Sequence, residues 1–315
     1  MPEPIRSGGR IGSVVRQSRF VPVPPHLPAA AKERDKRGLV RKMTKVAIRE
    51  HPAPTAAIQQ DAILEVRSVT KAFGGNRAVD DCSFSVYRGT ITGLIGPNGA
   101  GKSTLLNVIA GALPATSGSI LLDGEPIDGL RPEALLRRGL TRTFQIPHPI
   151  PTMTVLENLV LAGQQQAGER IWNAWLRPGL VERQENAIID QALAVLAYVN
   201  LLHLRDAYAA NLSGGQKKLL EFARTLMVSP RLVLLDEPAA GINRTLMRQL
   251  TQHIEEQCRD HGMTFLIVEH DMDLVARLCD PVIVMAEGKR LTEGSFAEIR
   301  QDRAVLDAYL GGQIA

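Results

Sequence analysis

The stretch Gly96-Pro97-Asn98-Gly99-Ala100-Gly101-Lys102-Ser103-Thr104 limits the fold more than any other part of the chain. It satisfies G-x-x-x-x-G-K-[ST], and its flanks are the ones such a loop requires. Ile91–Ile95 before it is a short apolar run that reads as a buried parallel strand. After it, Leu105, Leu106, Val108 and Ile109 recur at helical spacing, and Gly111 predicts the stop. Free backbone N–H groups and the positive end of a helix dipole then meet at one point, which favours phosphate. The glycines let the backbone curl round an anion. Lys102 is placed to reach β- and γ-phosphates, and the Ser103 hydroxyl to ligate Mg2+. The expectation is an α/β fold that binds a nucleoside triphosphate.

The 315 residues fit about two domains, with hydrophobic residues at 44% and charged residues at 22%, as in ordinary globular proteins. Cys82, Cys258 and Cys279 are the three cysteines, scattered and without a C-x-x-C pair, which argues against a disulfide framework or zinc site. Cys82 alternates with Phe84 and Val86 and reads as a core-facing strand residue. The longest uncharged stretch, Ser103 to Leu122, is broken by Pro114 and Gly118 and starts inside the phosphate loop, so no membrane span is expected. Net charge is +4, but ten Lys and Arg against three acids up to Lys42 put +7 there and leave −3 elsewhere. The basicity belongs to the N-terminal extension and makes no case for a nucleic-acid partner.

Residues 1–60 are rich in Pro, Arg and Ala and read as a disordered extension. An Arg-rich transit peptide and a true start at Met43 are further readings of it. Short β-type runs follow at Ile63–Val69 and Val79–Tyr87, then Ile120–Leu122 before Asp123-Gly124, a hairpin signal. Together they predict a small antiparallel layer beside the loop. Phe73 can stack on a nucleobase or pack within its strand; composition favours packing. From Pro149 to Ser229 the pattern turns helical, with an apolar stripe over Ala187–Val199 through Ile188, Ile189, Leu193 and Leu196. Trp172 and Trp175 share a helix face, and packing is the favoured reading.

Ser213 and Gln216 have capping-box spacing in Leu212-Ser213-Gly214-Gly215-Gln216, so Ser213 predicts a helix start and a second anion cradle. Leu232–Leu235 reads as a buried strand ending in Asp236-Glu237. Adjacent acids at a parallel strand's C-terminal edge sit where α/β sheets bind ligands. Asp236 suits Mg2+, and Glu237 suits polarising a water. Phe265–Val268 leads to His270 on the same edge, as a γ-phosphate donor or a plain surface residue. Val282–Met285, a Glu287-Gly288 turn and one closing helix over about Ser295–Tyr309 complete the pattern.

Taken in order, Gly96–Thr104, Gln145, Leu212–Gln216, Asp236-Glu237 and His270 resemble the motifs of ATP-binding-cassette ATPases, over a domain spanning 61–312. The resemblance implies a P-loop NTPase with a RecA-like core, an antiparallel β subdomain and an inserted helical subdomain over about 149–229. It implies two ATP molecules between head-to-tail cassettes, each meeting Gly96–Thr104 of one chain and Ser213, Gly214, Gly215 and Gln216 of the other. Phe73 becomes the adenine-stacking residue, Gln145 the sensor of Mg2+ and water, Glu237 the catalytic base and His270 the γ-phosphate switch.

Arg142-Thr143-Phe144-Gln145, Thr154–Leu159, Pro238–Asn243, Glu269–Met272 and Ala308–Gly311 are similar to cassettes that import branched-chain and related amino acids. That family implies a second cassette, two membrane permease subunits and an extracytoplasmic solute-binding protein. It also implies a peripheral place on the cytoplasmic face of the membrane. Ile146–Pro151 falls where such cassettes dock their membrane partner; a hinge is the plainer reading. Asn243 stands where most cassettes carry Asp, and Arg244 where proline is expected. A P-loop kinase leaves Ser213–Gln216 without a role. A soluble cassette acting on nucleic acid or ribosomes is the other rival, against which stand the single cassette and the lack of a basic core.

Overall fold

The computed structural model describes residues 61–143, 149–163 and 178–311. The expected extension 1–60, Gln145, residues 146–148 of the expected docking segment and both tryptophans lie outside the described residues.

Two sheets form the frame. The larger contains β3 (Ile91–Ile95), β6 (Leu140–Arg142), β7 (Leu232–Asp236), β8 (Thr264–Val268), β9 (Val282–Ala286) and β10 (Lys289–Gly294), in the order β10-β9-β3-β8-β7-β6. All neighbours in it are parallel except β9 and β10. Every residue of β3, β7 and β8 is buried, the mark of parallel strands covered on both faces.

Side-chain alternation divides this sheet between two cores. Val233 and Leu235, Phe265 and Ile267, and Val282 and Val284 face one; Leu232 and Leu234, Leu266 and Val268, and Ile283 and Met285 face the other. The first core is covered by α4 (Pro178–Tyr198), α5 (Gly214–Met227), α6 (Arg244–His261) and α7 (Met272–Leu278). The second is covered by α1 (Lys102–Ile109) and by the smaller sheet. A Leu, Ile or Val fully withdrawn from water contributes about 1.5–3 kcal/mol, so both faces are needed to hold the sheet.

The smaller sheet is antiparallel, as its turn signals predict. It contains β1 (Ala62–Phe73), β2 (Asn76–Tyr87), β4 (Ser117–Leu122) and β5 (Glu125–Pro126), in the order β2-β1-β4-β5. Asp123 and Gly124 both take positive φ, 54° and 76°, as a two-residue hairpin turn requires. Cys82, Phe84 and Val86 all point into the core. Burial raises the thiols of Cys82 and Cys258 to about 11 and of Cys279 to about 12.

α2 (Pro132–Arg137) precedes β6. α3 (Val155–Val160), α4 and α5 pack on one another between Pro149 and Ser229. Buried Asn158 ties the segment before α3 to that helix: its amide donates to the Ile150 and Thr154 carbonyls at 3.1 and 2.9 Å, and its Oδ1 accepts from Ile150 N–H at 2.8 Å. The apolar stripe of α4 is buried at Ala192, Val195 and Leu196, while Ile188, Ile189 and Leu193 are only partly covered.

The single closing helix expected over Ser295–Tyr309 is two helices, α8 (Phe296–Ile299) and α9 (Arg303–Gly311). Asp302 explains the break. Its carboxylate accepts from Ala304 N–H at 2.8 Å and so starts a new helix where the periodicity alone runs on.

Candidate functional site

The phosphate loop is wedged between the two sheets. Gly96 has φ 148°, and a Cβ on it would stand 2.0 Å from the Met285 carbonyl oxygen of β9. Gly101 has φ 93°, and a Cβ there would stand 2.1 Å from the Ala78 carbonyl oxygen of β2. These two glycines permit contacts that any side chain would prevent. Asn98 and Gly99 form the exposed tip, whereas Ala100 is buried. α1 begins at Gly101 with no side-chain cap and no acid in its first turn, so its leading amides are not engaged by a carboxylate of their own helix.

Lys102 Nζ donates to the Gly96 and Pro97 carbonyls at 2.7 and 2.9 Å. Burial pushes its pKa below the usual lysine value, against the opposing pull of Glu237 and Asp236. The ammonium is thus close enough to both acids to feel their charge. An uncapped helix start, a half-buried lysine and two carboxylates suit a triphosphate better than a lone anion. The Ser103 hydroxyl and the Asp236 carboxylate, the donors expected for a metal, are hard oxygens. They are too few to cage a divalent cation but fit one that arrives on phosphates.

β7 and β8 are neighbours, and Asp236 pairs in register with Val268. The acid pair and His270 therefore leave the sheet on one edge. His270 Nδ1 lies 3.7 Å from Glu237 Oε1, and the ring is 62% exposed. Beneath it, fully buried Glu269 accepts from the backbone N–H of Ala239 at 2.9 Å and of His270 at 3.1 Å. That carboxylate holds the turns after both strands together, a role that a reading of Glu269 as a strand terminus does not suggest.

Three further side chains brace the edge. Arg142, at the end of β6, donates to Asp236 Oδ2 at 2.8 Å and to Asn107 Oδ1 at 2.5 Å. Asn107 in turn donates to the Ser103 carbonyl at 2.8 Å. Lys218 Nζ donates to the Glu237 and Pro238 carbonyls at 3.0 and 3.1 Å. Two of the three carry a sequence signal: a cation closing a short strand, and a cation two residues past Gln216.

Ser213 caps α5 as its spacing predicts. Its hydroxyl accepts from Gln216 N–H at 3.3 Å, and Gln216 Oε1 accepts from Ser213 N–H at 2.9 Å. Gly215 is packed tightly, since a Cβ there would stand 2.5 Å from Leu246 Cδ1. Asn243 caps α6 by accepting from Leu246 N–H at 2.9 Å, which any short acceptor at that position can do. Phe73 does not pack in its strand as composition favours. It is 51% exposed at the β1–β2 turn, with Lys71 Nζ 5.1 Å from the ring centre. The strand ends there, leaving the ring no neighbour layer to enter.

A family model described as ABC transporter matches residues 79–240, and one described as branched-chain amino acid ATP-binding cassette transporter matches residues 289–315. The chain is 40% identical to a probable branched-chain amino acid transport ATP-binding protein, LivG, of Archaeoglobus fulgidus, over 80% of this chain and 96% of that one. It is 36% identical to the high-affinity branched-chain amino acid transport ATP-binding protein LivG of Escherichia coli, over 79% and 98%. A nucleotide-free ATP-binding cassette from an ABC transporter superposes with a TM-score of 0.68 at 37% identity, covering 78% of this chain and 98% of its own. An ATP-binding cassette in its ADP conformation gives 0.66 at 36%, covering 79% and 99%. The chain belongs to the ABC transporter family, as an ATP-binding subunit that hydrolyses ATP.

Proposed function

We propose that this subunit powers an importer for branched-chain or related amino acids, as the printed functions of its relatives suggest. The observation that carries the site reading is the convergence of Lys102, Asp236 and Glu237 at one sheet edge, where each carboxylate perturbs the lysine. In this reading Lys102 leaves the Gly96 and Pro97 carbonyls and turns its ammonium onto the β- and γ-phosphates. Glu237 accepts a proton from the attacking water, and His270, 3.7 Å from it, donates to the γ-phosphate. Ser103 and Asp236, with Gln145 added by the family resemblance, would hold Mg2+, which would supply neutralising charge to the transferred phosphoryl group. Phe73 offers its exposed ring to the adenine.

Ser213 to Gln216 complete the site of a second cassette, so the working unit is a pair of cassettes, identical or mixed. α3, α4 and α5 form the helical subdomain between Pro149 and Ser229, and 61–312 the whole cassette. No helix among the described residues is long and apolar enough to cross a membrane. Two permease subunits provide the path, a solute-binding protein delivers the amino acid outside, and the cassette sits on the cytoplasmic face.

The test is a pull-down of tagged protein from detergent-solubilised native membranes, followed by ATPase assay of the recovered complex. Two permeases and a second cassette, with hydrolysis stimulated by a loaded amino-acid-binding protein, are the expected result. Recovery without any membrane protein overturns the transport reading.

A further inference from the structure

Arg142 occupies an unusual position. Its guanidinium is 13% exposed and its partner Asp236 is 5% exposed, so the ion pair is largely withdrawn from water. A pair placed for stability alone needs only the charge. Arg142 spends its second nitrogen on Asn107 of α1, and Asn107 passes the link to the carbonyl of Ser103. One continuous run of hydrogen bonds, Ser103–Asn107–Arg142–Asp236, therefore spans the N-terminal turn of α1, the end of β6 and the end of β7.

The two ends of that run are the oxygen-bearing residues assigned above to Mg2+. Arg142 takes only Oδ2 of Asp236, which leaves the other oxygen of the carboxylate outside the ion pair. A planar guanidinium that bonds two acceptors fixes their relative placement, whereas a lysine ammonium would fix neither direction. Partners behind metal ligands orient those ligands, and their loss lowers metal affinity by about 10–100-fold.

We propose that Arg142, working through Asn107, is a positioning residue that sets Ser103 and Asp236 at the separation a nucleotide-bound divalent cation requires, before that cation arrives. The inference rests on the assignment of Ser103 and Asp236 to Mg2+. It makes the cation-dependent part of nucleotide binding depend on two side chains that touch neither nucleotide nor metal. Binding without the cation, which uses Lys102 and the loop amides, is independent of both.

The experiment is equilibrium binding of a fluorescent ATP analogue to the full chain, in EDTA and across an Mg2+ titration, without hydrolysis as the readout. Arg142→Lys keeps the charge beside buried Asp236 but loses the fork. Asn107→Ala keeps the ion pair and cuts only the link to α1. Each variant is expected to bind the analogue in EDTA as the parent does and to require about tenfold more Mg2+ for half-maximal effect. The double variant should lose little more than either single one, because both act on one bridge. An unchanged Mg2+ requirement in Asn107→Ala, or losses that simply multiply, overturns the inference while leaving the site assignment standing. A parent protein whose nucleotide affinity ignores Mg2+ overturns the assignment of Ser103 and Asp236 itself. Should Arg142→Lys fail to fold, Asn107→Ala alone decides, since its ion pair is intact.

Discussion

Lys218 Nζ holds the main-chain carbonyl of Glu237 at 3.0 Å, so the helix that begins at Ser213 grips the residue assigned as catalytic base through its backbone. Glu237 needs such a hold. Its φ of 48° lies in the left-handed region, which costs a residue with a side chain roughly 1–2 kcal/mol. Burial also lowers the Lys218 pKa below the lysine value, opposed by Glu269, Glu221 and Glu237. Lys218→Met should relax the turn while sparing Lys102. Losing two charge-assisted hydrogen bonds, about 1.5–3 kcal/mol each, is expected to slow hydrolysis at least about tenfold with nucleotide affinity little changed. Single-turnover rates beside equilibrium binding check it.

Lys102→Ala should leave the melting temperature almost unchanged, because the side chain's hydrogen bonds are to carbonyls of its own loop. Without the two phosphate contacts proposed for it, ATP binding should weaken by about a hundredfold or more, read by titration calorimetry.

Glu237→Gln should keep ATP bound and hydrolyse it about 100- to 10,000-fold more slowly, the usual share of a general base. The amide preserves the shape of the carboxylate but cannot take a proton. Near-normal turnover would move the base to another residue.

The Gly101→Ala change places a methyl group 2.1 Å from the Ala78 oxygen on a backbone at φ 93°. A destabilisation of at least about 2 kcal/mol is expected. Gly99→Ala is the control: its φ of 80° carries similar strain, but the added atom meets open space. Denaturant midpoints of the two variants separate strain from collision.

His253 links α6 to α4 and α5. Its ring lies 4.5 Å from that of Tyr198 and stacks at 6.4 Å on Phe222, and Glu256 Oε2 is 3.6 Å from its Nδ1. Burial lowers its pKa despite Glu256 nearby. The unfolded chain therefore takes up this proton first, so the folded state loses stability as pH falls below the ordinary histidine value of about 6.5. His253→Phe should flatten that part of the stability curve, measured by urea unfolding between pH 7.5 and 5.5, a window set by the same value.

Local chemistry was legible where a few adjacent residues decide the outcome. The Asp123-Gly124 turn, the Ser213–Gln216 capping box and the apolar strands before the phosphate loop, the acid pair and His270 all follow from neighbours in the chain. What the residue order hides is partnership at a distance. Arg142 meets Asn107 across 35 residues and Asp236 across 94, and no periodicity marks such a meeting. Phe73 shows the opposite failure: an aromatic in a strand reads as core, yet the strand ends before any layer covers it. The break at Asp302 was written in the sequence as a start signal and was lost under a periodic pattern that spans it.

The phosphate loop is pinned on one side by Ala78 and on the other by Met285, strands of two different sheets. A loop pinned in this way has little freedom left to surrender when an anion enters. Capture of nucleotide by one chain then requires no folding of the cradle, and its speed is set by encounter and desolvation. The slow, gated events of the cycle must fall to parts of the molecule not held between those two sheets.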